Sequence, residues 1–219
     1  MPEPDRASGK PSPHALSLAG ADLEGVAPPV VRVEAAAEVV VVVSRSRDPA
    51  GEVYRDRCAT DGVPVVCRPS GGGAVVLGPG AIAASVVAAN PDRSPFPDPW
   101  FRHFGGALVE ALGGLGVPGV TPRGVSDLCL GDRKIAGSSL RLAGARVLYQ
   151  VSLLVDLDVT LIERYLPVPA RAPAYRLGRP HREFVTTLRA AGFDLESGRV
   201  LLAVHAALTG ALRARRATV

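Results

Sequence analysis

Lysine is almost missing from this chain of 219 residues. Of its 25 lysines and arginines only Lys10 and Lys134 are lysine, which leaves 23 arginines. Cysteine is scarce too. Cys58, Cys67 and Cys129 are odd in number and show neither a CxxC pair nor a histidine at metal-ligand spacing, which argues against a disulfide scaffold and fits a reducing compartment. Aromatic residues make up 5%, so the core must be built from Val, Leu, Ala and Ile. The longest aliphatic run, Val39–Val43, is far too short to span a membrane. Residues 1–14 carry Glu3, Asp5, Arg6 and Lys10 with no apolar segment, so no signal peptide is expected and the location expected is the cytoplasm. GxGxxG and GxxxxGK[ST] are both absent, which disfavours a dinucleotide fold and a P-loop. A net charge of +4 favours an acidic protein or a phosphate ligand over nucleic acid. The Arg213-Ala-Arg-Arg216 cluster reads as a solvated helix end.

What is present is a succession of short strands and a few helices. Residues 1–14 read as a disordered tail and 15–219 as one domain. Strands are expected at Val30–Val33, Val39–Val43, Val63–Cys67, Ala74–Leu77, Ala81–Ala89, Asp127–Leu130, Arg133–Ala136 and Arg146–Val155. Five consecutive valines suit a strand buried on both faces. Asp48-Pro-Ala-Gly51 and Pro91–Pro99 read as loops, and Asp61-Gly62, Gly78-Pro-Gly80 and Gly131-Asp132 as turns. Helices are expected at Val53–Thr60, from Asp98 through Leu115, at Thr160–Tyr165, at Arg182–Ala190 and at Ser197–Arg216. Strands in runs with interspersed helices, and no regular βαβ alternation, predict an α+β fold.

Two segments carry chemistry. In Arg68-Pro-Ser-Gly-Gly-Gly-Ala-Val75, Ser70–Gly73 lie between two strands, where backbone without Cβ atoms can approach a ligand. In Lys134-Ile-Ala-Gly-Ser-Ser139 the lysine offers a compact charge to a carboxylate or phosphate. Gly72→Val is accordingly expected to block the ligand path and leave the fold intact. Of the histidines, His14 falls in the tail, His103 and His205 on helices, and His181 reads as a structural residue at a helix start, with ordering of the pocket as the alternative. Tyr175, Arg176 and Arg179 read as residues that bind an acidic partner or brace the site. Cys129 reads as a buried thiol.

These residues resemble the lipoate–protein ligase and octanoyltransferase family. Val65–Val75 resembles its RRxSGGGAV segment, Ser126–Arg141 its (N/S)D…grKxxGxxqR segment, and Tyr175–Thr186 a YRxGRxHxxFxT segment of one subgroup. The resemblance implies mixed and antiparallel sheets with flanking helices, a biotin/lipoyl protein ligase-like (class II synthetase-like) catalytic domain. It also implies Lys134 as the catalytic residue. Arg68, Ser70, Gly71, Gly72, Gly73, Ala74, Gly137 and Ser138 would bind the acyl substrate, and Gly73, Asp127 and Lys134 the ATP or adenylate. The implied reaction activates lipoate or octanoate with ATP and Mg²⁺, then acylates a lysine of a lipoyl carrier domain, an E2 subunit or glycine-cleavage H protein. No resident metal, nucleic acid or membrane is implied, the expected state is a monomer, and no C-terminal accessory domain is expected.

The chain departs from the pattern at two places. Cys67 stands for the first arginine of the pair, and Tyr149-Gln-Val-Ser-Leu-Leu154 replaces the family's HHGTLL strand. No cysteine follows Cys129, which disfavours a thioester transferase with a downstream cysteine nucleophile. Two rival readings stay open: transfer from octanoyl acyl carrier protein without ATP, and a catalytically weakened binder of lipoyl groups or carriers.

Overall fold

The computed structural model describes residues 11–46 and 51–217, with the side chains of the last two of these left out. The loop expected at Asp48–Gly51 and the first ten residues of the expected tail therefore lie largely outside the described residues. Within 11–14 the structure differs from a tail. Ser12 accepts a hydrogen bond from the Ala15 amide at 3.0 Å and caps helix α1, Pro13–Leu18, whose Ala15 and Leu18 are buried. An N-cap serine followed by proline is a helix start.

Two sheets form the body. The larger is antiparallel throughout, in the order β1 (Val30–Ala35), β5 (Ala81–Ala89), β9 (Arg146–Leu154), β8 (Arg133–Ala143), β7 (Asp127–Leu130), β6 (Val120–Arg123). The smaller has β2 (Val40–Ser44) between β3 (Val65–Arg68), parallel to it, and β4 (Val75–Leu77), antiparallel. Every residue of β2 is buried, as the valine run predicts for a central strand.

Alternation along β5 and β9 divides the interior. Ile82, Ala84, Val86, Tyr149, Val151 and Leu153 face helices α3 (Asp98–Gly114) and α6 (Ser197–Ala217), where Trp100, Phe104, Leu108, Leu112, Val204 and Leu208 complete one core. Each such side chain contributes about 1.5–3 kcal/mol by leaving water. The opposite face of the sheet turns Ala81, Ala83 and Leu154 towards the small sheet and a second core built on β2. Between these layers lies the cavity described below. Helices α2 (Arg55–Thr60) and α4 (Thr160–Tyr165) flank the small sheet.

Three elements depart from the sequence expectation. The helix expected over Arg182–Ala190 is only α5, His181–Phe184. Beyond it, Val185 bridges in parallel to Lys134, and Thr186, Leu188 and Arg189 donate to the carbonyls of Lys134, Leu154 and Val155 at 2.9, 3.0 and 3.0 Å. β-Branched Val185, Thr186 and Thr187 favour this extended pairing over a helix. Strand β6 holds Pro122, a residue tolerated because β6 is an edge. Strand β8 continues through Gly137-Ser-Ser139 to Ala143, since β9 pairs with it along that length. At the C-terminal helix, Arg215 stacks over the Trp100 ring at 3.6 Å, so that part of the basic cluster packs instead of being wholly solvated.

Candidate active site

The site begins with an irregularity in strand pairing. Leu128 pairs with Ala136, yet Cys129 pairs with Lys134, leaving Ile135 as an extra residue on β8. An extra residue reverses the alternation of side chains beyond it. Lys134 thereby shares a face with Asp127 and Gly137, which pair with each other, instead of lying opposite Gly137. Its Nζ sits 2.7 Å from Asp127 Oδ1. A Cβ at Gly137 would lie 2.5 Å from that Nζ and 2.7 Å from Lys134 Cε, so the lysine side chain occupies the space a side chain at 137 would fill.

Asp127 is held from its other side. Tyr175 donates to Oδ2 at 2.7 Å, and Cys129 Sγ donates to the Tyr175 hydroxyl at 3.5 Å. Burial, foremost, together with the bonds to Cys129 and Asp127, raises the Tyr175 pKa, so the phenol stays a neutral donor. Burial also raises the Cys129 thiol, which suits a structural role and not a nucleophile. Ser138 donates from its amide and Oγ to the Ser126 carbonyl at 2.8 and 2.9 Å, fastening the loop before Asp127.

The glycine segment approaches the same cavity from β3 and β4. Arg68 is buried and donates to the carbonyls of Gly71 (3.1 and 2.7 Å), Gly73 (2.6 Å) and Val42 (3.3 Å). It shapes the loop through its backbone oxygens. Ser70 is equally internal: its Oγ meets Ser139 Oγ at 2.8 Å and donates to Gln150 Oε1 at 2.5 Å. Gln150 donates onward to the Ala19 carbonyl at 2.7 Å. In place of the family's histidine–glycine pair, Gln150 ties the glycine loop to the end of α1.

A cavity of about 520 Å³ joins these parts. Of the residues singled out from sequence, Arg68, Gly72, Gly73, Ala74, Asp127, Lys134, Gly137 and Ser138 line it. Ser70 and Gly71 do not; they support the loop from behind. The expectation for Gly72→Val also changes. Gly72 has φ +94°, and a Cβ there would stand 3.0 Å from Arg68 Nη2, so any side chain strains the backbone and presses on the loop's own anchor. Gly73 also lines the cavity and has open space where a Cβ would project.

Of the far wall, Leu166, Pro167, Pro169, Arg176, His181 and Phe184, the sequence pointed only to Arg176 and His181. His181 Nε2 lies 3.0 Å from the Pro167 carbonyl, and burial lowers its pKa. The only signal for this wall was the Tyr175–Thr186 resemblance. Among the described residues no group of three His, Cys, Asp or Glu side chains is placed to hold a metal. Among the described residues the wall's carboxylates are Glu52 and Asp127. No described helix is long and apolar enough to cross a membrane.

The body is a two-sheet α+β fold with a lysine–aspartate pair on the wall of its cavity. The fold matches a bipartite lipoate protein ligase of Thermoplasma acidophilum, solved in a study of that ligase and its E2 lipoyl domain. The TM-score is 0.77 at 22% identity, over 91% of this chain and 79% of that one. It also matches a lipoate-protein ligase A bound with ATP, with TM-score 0.74 at 23% identity, over 91% and 81%. Residues 21–208 match the Lipoyl protein ligase A/B catalytic domain, and the chain belongs to that family.

Curated relatives include a lipoate–protein ligase of Streptococcus pyogenes, 36% identical over 104 residues, which are 48% of this chain and 30% of that one. An octanoyltransferase LipM of Symbiobacterium thermophilum is 27% identical over 193 residues, 78% of this chain and 70% of that one. The matched stretch is thus about a third of the streptococcal ligase and most of the transferase.

Proposed function

We propose that this protein is a lipoate–protein ligase. It joins lipoate or octanoate to ATP as an acyl-adenylate and passes the acyl group to a lysine of an E2-type lipoyl domain. The observation that carries this reading is the Lys134–Asp127 pair at 2.7 Å, set over Gly137 on the wall of a cavity that the glycine loop also lines. Apolar side chains of both sheets, Val42, Leu77, Ala83 and Leu154, suit an acyl chain, and Lys134 suits its carboxylate.

In the first step a carboxylate oxygen attacks the α-phosphorus and pyrophosphate leaves. In the second the carrier amine, having lost a proton, attacks the acyl carbon and AMP leaves. Lys134 is positioned to stabilise charge that develops on the carbonyl and phosphoryl oxygens, with Asp127 fixing its direction. Mg²⁺, which prefers phosphate oxygens and a few carboxylates, would enter with the nucleotide.

A second reading, transfer from an octanoyl thioester, is favoured by the long match to the octanoyltransferase. Against a cysteine-dependent version, none of Cys58, Cys67 and Cys129 lines the cavity. The deciding experiment is the intact mass of an apo E2 lipoyl domain. It is incubated with the protein and octanoate or lipoate, with and without ATP–Mg²⁺, beside a tube holding octanoyl acyl carrier protein alone. The expected result is an ATP-dependent acyl mass gain that Lys134→Ala abolishes. A gain from the thioester alone selects the transferase, and no gain in any tube selects a non-catalytic binder.

A further inference from the structure

Arg176 is 3% exposed and lines the cavity, yet its Nη2 is buried with no hydrogen-bond partner. Among the described residues no carboxylate pairs with it, and the largest charge effect on it is the like charge of Arg179. A buried guanidinium without a counter-ion is costly, and native structures rarely keep one without a use. This one is also held rigidly. Its Nε donates to the Arg179 carbonyl at 2.8 Å, while Arg179 donates back to the Arg176 carbonyl from Nε at 3.1 Å and from its amide at 3.0 Å. Its face lies 4.8 Å from the Phe184 ring centroid. One edge and one face are therefore committed to the protein, and Nη2 is left over.

The other cations on this wall are differently engaged. Lys134 is paired with Asp127, and Arg68 binds backbone carbonyls of the glycine loop. Arg176, Lys134 and His181 line the same cavity.

We propose that Arg176 forms an anion subsite of the cavity, its guanidinium, which the protein leaves without a counter-ion, donating to one oxygen of a phosphate or carboxylate group. The subsite rests on the reading of the cavity as the place where an acyl carboxylate meets a nucleotide, and it adds a recognition residue to that reading. Either the nucleotide's phosphates or the acyl carboxylate can supply the oxygen, since a guanidinium fork suits both.

The test is calorimetric titration of the full chain with four probes: ATP, pyrophosphate, AMP and octanoate. It compares wild type with Arg176→Met and Arg176→Lys. Methionine keeps much of the volume and removes the charge. Its melting temperature without ligand is expected to equal or exceed that of wild type, because an unpaired buried charge is gone. Loss of a charge-assisted bond is expected to weaken the anion that uses the subsite about tenfold to a hundredfold. Weakened pyrophosphate and ATP with unchanged octanoate assigns the oxygen to phosphate, and weakened octanoate alone assigns it to carboxylate.

Unchanged affinity for all four probes in folded Arg176→Met overturns the proposal, as does a wild type that binds none of them at millimolar concentration. If Arg176→Met does not fold, nitrogen-15 spectra of wild-type arginine side chains decide, with Arg176 assigned through the lysine variant. A shift of the Arg176 signal with pyrophosphate or octanoate supports the subsite, and no shift at saturation overturns it. Because these assays read binding and not transfer, a protein that binds anions through Arg176 and never acylates a carrier would keep the subsite and lose the ligase reading.

Discussion

The space that a side chain at position 137 would fill is taken by Lys134, and from that follows a separation of stability from activity. In Gly137→Ala the new methyl would overlap Nζ and Cε, the free end of a flexible chain, and not backbone. The lysine swings aside at little cost, and alanine suits a strand at least as well as glycine. Unfolding free energy is expected to stay within about 1 kcal/mol of wild type. Acyl transfer to a lipoyl domain, followed by intact mass, is expected to fall at least tenfold, because Nζ leaves its place beside Asp127. Unaltered transfer would mean that the Lys134–Asp127 geometry is not the working one. Lys134 itself was legible as the odd lysine in an arginine-rich chain. The support given by Asp127 and Tyr175 was not, because the contacts join residues 127, 134 and 175 through tertiary packing.

At the scale of elements, the turn Gly78–Gly80 joins the small sheet to the large one. Gly80 has φ +87°, and a Cβ there would stand 2.4 Å from the carbonyl carbon of Asp156 and 2.7 Å from the Leu157 amide nitrogen. These are backbone atoms at the end of β9, where Val155 and Asp156 donate to the Gly80 carbonyl at 2.9 and 2.8 Å. Nothing flexible can yield. Gly80→Ala is expected to destabilise by about 3 kcal/mol or more, read as a lower denaturant midpoint, whereas Gly119→Ala, with open space about it despite its positive φ, costs about 1 kcal/mol. Equal midpoints for the two would remove this junction from the account. Gly78-Pro-Gly80 was readable as a turn, but its contact with β9 was not, since only the fold brings residue 80 to residue 156. The segment after α5 teaches the same lesson in reverse. Local pattern suggested helix through Ala190, and pairing of residues 185–189 with β8 and β9 prevailed.

For the whole molecule, the far wall makes stability depend on pH. His181 faces Arg176, Lys134 and Glu163, and burial, the largest influence, lowers its pKa from the usual value of 6.5. A base whose folded pKa is depressed protonates first in the unfolded chain. Its contribution is therefore intact above about pH 6.5 and is lost as pH falls below that towards the folded value. Melting temperature is expected to drop through this window in wild type and to drop less steeply in His181→Gln, measured in parallel by calorimetry. Identical slopes would place the acid sensitivity elsewhere.

By itself the sequence determined the α+β class, the central valine strand, the long helices α3 and α6 and the family. These follow from local periodicity and from short motifs whose chemistry is carried by residues adjacent in the chain. Only the tertiary structure decided which motif residues line the cavity and which, like Ser70 and Gly71, stand behind it. It alone placed the bulge at Ile135 that turns Lys134 to face Asp127, and it alone left Arg176 buried without a counter-ion. The physical reason is common to all three. Side-chain direction and burial depend on strand register and on sheet-to-sheet packing, which are set by contacts between residues far apart in the chain.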